Sequence, residues 1–290
     1  MELRRLPEHV RWHVRMDNDL HRTGLPRGTF FRSYCRVRLR AYLLGKSDAP
    51  IIKQFVVRHG VSGEKATLNL RTAPGDISDW IVLRGVWAYQ DYFHPLIRRC
   101  RTILDVGANA GIAAVWFKSL IPEAELACIE PDPRNLPLAR LNLTENGISA
   151  KIFECAVATY TGKTRLGIEA WNGKSSLEDA GLYAHREFVE VRTRRIPEIL
   201  DDLGWRRVDL LKMDIEGMER DILANGGDWL DRVGLIVLEV HQNTSPAELS
   251  SLLDRYGWTI QRLGVDDEET YLAIPRRQSQ EYSNFTVTRE

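Results

Sequence analysis

No run in the 290-residue sequence approaches the roughly 18 consecutive apolar residues of a membrane helix, so no membrane span is expected. The first ten residues, MELRRLPEHV, carry charge without an apolar core, and no secretory signal is expected either. Cysteine is sparse. Cys35, Cys100, Cys128 and Cys155 lie far apart with no C-x-x-C pair, which excludes a zinc ribbon or a dithiol redox motif. Cys128 and Cys155 fall inside strand-like apolar runs, so buried, reduced thiols in a cytoplasmic setting are expected. Net charge is missing as well: Lys plus Arg and Asp plus Glu both total 40, so overall charge points to no polyanionic partner. There are no internal repeats. The dinucleotide fingerprint G-x-G-x-x-G is not met either, because position 109 is Asn and no third glycine follows at the required place.

What the sequence does contain is apolar residues, at 43%, enough for a sizeable core. It also has an uneven distribution of charge. Residues 1–58 hold thirteen Lys/Arg against five acids, read here as a solvated helical face or as a surface for an acidic substrate, a membrane surface or nucleic acid. Residues 1–70 read as an extension, helical to about residue 45 and then two strands. Residues 71–100 read as an aromatic connection with Asp76 and Ser78 as helix caps. From 101 to 290, short apolar strands alternate with helices: TILDV, AELACIE, AKIFECAVA, VDLLKMDIEG and VGLIVLEVH, closed by a hairpin of WTIQRL and TYLAIP. Such alternation implies an α/β fold with a mainly parallel sheet buried on both faces. Ligands of such sheets bind beyond the carboxyl ends of the strands.

The strand ends carry the chemistry. TILDV runs into DVGANAG, where Gly107 tightens the turn and Gly111 brings the helix start close to strand and ligand. Asp105 precedes this loop; an acid there repels a diphosphate and suits a ligand bearing an ammonium group. Glu130 ends the second strand, followed by Pro131, and can accept both hydroxyls of a ribose, while Asp132 caps the next helix. Asp105 with Glu130 suggests an adenosyl group. Ala156, after the third strand, would permit close approach of an adenine. Lys212, Asp214 and Glu216 recur at period two on the fourth strand, and charges on one side of a buried strand are expensive unless paired or functional. Lys212 is expected to neutralise one carboxylate, with Asp214 nearest the reacting centre. Glu239 and His241 end the fifth strand, with His241 placed as a general base.

ILDVGANAG, IEPDPRN, Ser175–Leu177, DLLKMDIEGME and LEVH together resemble the FkbM-type family of S-adenosylmethionine-dependent methyltransferases, over roughly residues 71–275. The resemblance implies a class I Rossmann-like fold with a seven-stranded sheet, S-adenosyl-L-methionine as cofactor, and methyl transfer to a hydroxyl of a sugar or a natural product such as a macrolide. It places the cofactor on Asp105, Gly107, Asn109, Gly111 and Glu130, with the acidic element near the methyl group on Asp214 and Glu216. It matches His241 to the strand-end His. On that basis His241 or Asp214 takes the acceptor's proton, Glu216 or Glu239 orients the base or holds a sugar hydroxyl, and Asp105 holds the cofactor's amino group directly or through water. The aromatic connection is expected to fold over the crevice as a lid, with Trp87 in it and Tyr92 or His94 touching the acceptor. No metal is assigned, because Asp214 has no obvious companion ligands. The alternatives are a nucleic-acid methyltransferase or RNA-binding protein using the basic segment, and a nicotinamide-dependent oxidoreductase. Oligomeric state is left open, a homo-oligomer included.

Overall fold

Short apolar runs, each bounded by turn residues, assemble into one twisted sheet with helices on both faces. The computed structural model describes residues 8–44, 50–73, 76–168, 175–178, 187–264 and 269–277. The chain begins with a helical pair, α1 (Glu8–His21) and α2 (Thr29–Leu44), and an antiparallel hairpin, β1 (Ile51–Arg58) and β2 (Lys65–Thr72). Helix α3 (Ser78–Leu83) continues as a π-helical turn over Arg84–Tyr89. Then come β3 (Thr102–Val106), α4 (Ile112–Leu120), β4 (Glu125–Ile129), α5 (Leu136–Glu145) and β5 (Ala150–Phe153). Four short strands follow: β6 (Ala156–Val157), β7 (Gly162–Ile168), β8 (Ser176–Leu177) and β9 (Glu187–Arg194). The last third is α6 (Ile196–Asp202), β10 (Val208–Met213), α7 (Glu219–Ala224), β11 (Val233–Glu239), α8 (Pro246–Asp254), β12 (Trp258–Arg262) and β13 (Thr270–Pro275).

The main sheet has the order β12-β13-β11-β10-β3-β4-β5, and β13 alone runs against its neighbours. From β3 the chain steps outward to β4 and β5, then returns to β10 on the other side. The switch point therefore lies between β3 and β10, where a crevice opens at the carboxyl ends. Alternation along the strands divides the core. Ile103, Leu210 and Val237 face α4, α5 and the N-terminal elements, whereas Leu104, Leu211 and Ile236 face α6, α7 and α8. The segments before residue 101 do not stand apart, because Met16, Phe30, Leu68 and Trp80 share one apolar cluster with Ile103 and Trp116.

Several local expectations need correction. AKIFECAVA is not one strand. It stops at Phe153, and Ala156–Val157 pairs with Thr193–Arg194 in a separate four-stranded sheet, β6-β9-β7-β8. Neither Asp76 nor Ser78 is the N-cap of α3; Ile77 holds that position, and Asp76 instead accepts from the Ser78 amide at 3.0 Å. Asp132 does not cap α5, whose N-cap is Asn135. Its carboxylate is taken by Arg134 and by the Ser175 hydroxyl at 2.7 Å. At α8, Ser245 does cap and forms a reciprocal capping box with Glu248, worth about 1 kcal/mol. The four cysteines are unbridged; Cys100, Cys128 and Cys155 are buried, while Cys35 is exposed.

Candidate active site

Gly107 has φ 80°, and a Cβ placed on it would lie 1.8 Å from the backbone oxygen of Asp214. Only hydrogen fits where the β3 turn crosses the end of β10. The amides of Gly107 and Ala108 both donate to the Ile129 carbonyl, each at 3.0 Å, which ties the loop to β4. Asn109, at φ 47°, donates its amide to Glu130 Oε2 at 2.7 Å. Gly111 starts α4 at φ 75°, and a Cβ there would press on Ala139 Cα at 3.3 Å, so its smallness admits α5.

Asp105 and Lys212 are register partners on neighbouring strands, both buried. Lys212 Nζ lies 3.3 Å from Asp105 and 3.4 Å from Asp214, and donates to the Gly107 carbonyl at 2.7 Å. Burial alone would lower the proton affinity of this lysine, but the two carboxylates outweigh it and hold the ammonium charged. Burial raises the pKa of Asp105, with Lys212 opposing. Asp105 is fully buried and is not part of the cavity wall. It anchors the lysine that anchors the glycine loop.

The cavity is a cleft at the carboxyl ends of β3, β4 and β10. Gly107, Asn109, Glu130, Pro131, Asp214 and Glu216 form its polar side, as the sequence placed them. Ile129, Ala156, Val157, Leu166, Leu177 and Met218 give it an apolar wall, much of it from the small sheet. Glu130 accepts from the amides of Asn109 and Asp132 (2.8 Å) and from Asn135 Nδ2 (3.2 Å). Burial nonetheless pushes its pKa up to about 7, against the pull of those donors. Three contributors went unrecognised in the sequence. Asn135 and Ser175 line the cavity. Arg71 of β2 reaches Asn135 Oδ1 at 2.7 Å and Asn109 Oδ1 at 3.1 Å while paired to buried Asp79, so the N-terminal hairpin braces the loop. No spacing in the sequence links Arg71 to residues 38 and 64 positions away.

The other end of the cavity is acidic. β10 ends at Met213, so Glu216 is not on the strand; it sits in the following turn at φ 53°. Fully buried Glu219, at the start of α7, accepts from the amides of Ile215 (2.9 Å) and Gly217 (3.0 Å), and from His241 Nδ1 at 2.9 Å. Glu219 therefore holds the ring from the Nδ1 side. Its sequence signal, an acid in the first turn of a helix, has a commonplace reading as a favourable helix-end charge. The opposite ring nitrogen, Nε2, faces Glu216 at 3.4 Å, Asp214 at 3.7 Å and Glu239 at 3.9 Å. Burial would lower the His241 pKa, but Glu219, Asp214 and Glu216 overcome it and raise the value to about 10. Donor atoms of Asp214, Glu216 and His241 all lie within 4.8 Å of one another, so Asp214 does have companions of the kind a cation uses.

The expected lid is part of the core. Trp87, Tyr92 and His94 are buried and none of them lines the cavity. Trp87 Nε1 donates to the Ile112 carbonyl at 3.2 Å, Tyr92 stacks on Phe117, and His94 Nδ1 accepts from the Leu96 amide. Amphipathic rings at that density build the α4 face of the sheet.

A seven-stranded sheet with this strand order, a glycine loop over its switch point and acids at successive strand ends define a class I S-adenosylmethionine-dependent methyltransferase. The methyltransferase FkbM domain matches residues 105–260, and the chain belongs to that family. The nicotinamide alternative falls with that assignment. The chain is similar to 2-O-methyltransferase NoeI of Sinorhizobium fredii, 31% identical over 153 residues, covering 47% of this chain and 62% of NoeI, so the match spans less than two thirds of that relative. It is also similar to 31-O-demethyl-FK506 methyltransferase FkbM of Streptomyces tacrolimicus, 24% identical over 189 residues, covering 54% of this chain and 72% of the other. Hexuronic acid methyltransferase AglP of Haloferax volcanii is 23% identical over 255 residues, covering 83% and 96% of the two chains. Among the described residues, no helix is long and apolar enough to cross a membrane.

Proposed function

We propose that the protein methylates a hydroxyl oxygen of a sugar or natural-product acceptor, with S-adenosylmethionine held between Glu130 and the Asp214–His241 cluster. The residues suit that cofactor. Glu130 keeps one acceptor position, on Oε2, for a ribose hydroxyl at one end, the apolar wall suits a planar base, and the acids at the other end suit a cation. When bound, S-adenosylmethionine supplies an electrophilic methyl group next to a positive sulfur. The protein's task is then to place an oxygen in line with that carbon, about 3–3.5 Å away, and to accept the oxygen's proton. One observation carries the reading: His241 is held by buried Glu219 through Nδ1 and presents Nε2 toward the cavity acids Asp214 and Glu216.

With a pKa of about 10, His241 is protonated in the free enzyme near neutrality and cannot yet act as a base. A second cation among the same carboxylates weakens that hold on the proton, so the imidazole becomes basic only when the site is filled. Asp214 is the other candidate base. The similarity to a 2-O-methyltransferase, a 31-O-demethyl-FK506 methyltransferase and a hexuronic acid methyltransferase supports a hydroxylated acceptor. The test is His241→Ala, assayed for S-adenosylhomocysteine release with a panel of glycosides and macrolides and for cofactor affinity by calorimetry. Turnover is expected to drop about 10²–10⁴-fold, with affinity changed far less. Undiminished turnover would remove His241 from the mechanism.

A further inference from the structure

Helix α2 carries two apolar faces. One, made by Phe30, Ser33 and Val37, is buried against the body of the protein. The other points outward. Phe31 (50% exposed), Cys35, Leu39 (57%), Tyr42 (85%) and Leu43 (67%) recur at i, i+4, i+8, i+11 and i+12, which makes one stripe at 100° per residue. Arg38 borders the stripe on one side and Arg36 and Arg40 on the other; Arg32 lies within it. All four are exposed, the helix contains no acid, and none of the four pairs with an acid among the described residues. Lys53 on β1 adds to the charge: burial and then repulsion from Arg36 both lower its proton affinity. Folding has left about 24 Å of helix with Phe31, Leu39, Tyr42 and Leu43 in water between uncompensated cations.

We infer that the outer face of α2 is a docking surface for an anionic lipid bilayer, lying in the interface with Phe31, Leu39, Tyr42 and Leu43 among the acyl chains and its arginines at the headgroups. Neither half of the pattern suffices alone. A nucleic acid would satisfy the arginines and leave the leucines in water. A second copy meeting this face about a twofold axis would set arginine against arginine. A bilayer satisfies both, because arginines bury their stems and keep their heads at the phosphate level. This docking is peripheral and needs no spanning segment, and it would present the enzyme to acceptors held at a membrane.

The experiment is co-sedimentation of the full chain with vesicles of phosphatidylglycerol and phosphatidylcholine, against vesicles of phosphatidylcholine alone and against a single-stranded RNA. Three proteins are compared: wild type, Arg36→Ala/Arg40→Ala, and Leu39→Ser/Leu43→Ser. All substituted side chains are exposed, and S-adenosylmethionine affinity reports on folding. Wild type is expected to bind the anionic vesicles only, and more weakly at high salt. Each arginine removed should cost about five-fold in partitioning, and the serine variant should also lose binding. Absence of binding to anionic vesicles overturns the inference. So does binding that ignores the leucine substitutions while the RNA competes, which marks a polyanion site. A wild-type dimer that the serine variant abolishes, without vesicle binding, overturns it in favour of self-association.

Discussion

Glu130 sets up a pH dependence that can be worked out from its surroundings. Its carboxyl group is buried at the cavity wall with a pKa of about 7. Only the carboxylate can accept from a ribose hydroxyl while still accepting from the amides of Asn109 and Asp132 and from Asn135; the acid form must use one oxygen as a donor. The site is therefore competent in proportion to the ionised fraction, about one in eleven at pH 6 and ten in eleven at pH 8. Affinity for S-adenosylmethionine should rise about ten-fold over that interval, equivalent to about 1.4 kcal/mol. His241 titrates near 10 and contributes little in this window. Glu130→Gln removes the titration and must also turn an amide NH₂ toward the amide of Asn109 or of Asp132, donor against donor, at a cost of about 1–3 kcal/mol. Calorimetry of both proteins across pH 6–8 makes the comparison. The cofactor's own amino group titrates equally with either, so the difference between the two slopes isolates Glu130. Parallel slopes would refute the assignment of Glu130 to the ribose.

Two further outcomes follow from the same geometry. Gly107→Ala must place a methyl group on the Asp214 carbonyl in a left-handed conformation, so it should destabilise the fold by roughly 3 kcal/mol or more and abolish cofactor binding; a wild-type urea midpoint would contradict the close approach. His59 is buried, accepts from the amides of Val61 and Ser62 (3.1 Å each) through Nδ1, and packs on Trp116; burial and then Arg98 lower its pKa to about 4. Because the unfolded chain binds that proton near 6.5, the stability contributed by neutral His59 is complete above 6.5 and is lost as pH falls toward 4, by at most about 3 kcal/mol. Urea unfolding of His59→Phe should show a shallower decline from pH 7 to 5 than wild type; equal declines would exclude His59 as the cause.

What could be read from the sequence was whatever depends on neighbours along the chain. β3, β4, β10 and β11 are apolar runs of five to seven residues ending in turn signals, so their existence and their carboxyl ends could be located, and with them Glu130, Asp214 and His241. The break after Phe153 could not be located, since nothing in KIFECAVA marks where one sheet hands over to another. The close approach of Ala139 to Gly111 could not be located either, because Ala139 belongs to the next helix. The aromatic segment 80–94 reads equally well as a lid or as core, and only the partners Ile112 and Phe117 decide for core. Glu219 and Arg71 make the same point at the site itself. Neither lies at the end of a strand of the main sheet, yet one orients His241 and the other holds Asn109 and Asn135. Strand ends show which groups can reach a ligand. The charges behind them, Glu219, half-buried Arg71 and the Asp105–Lys212 pair, decide where those groups point; Glu219 lies 22 residues from His241, Arg71 38 from Asn109, and Asp105 107 from Lys212. That depth is invisible to spacing, because a buried charge is placed by the partner that neutralises it rather than by its neighbours in sequence.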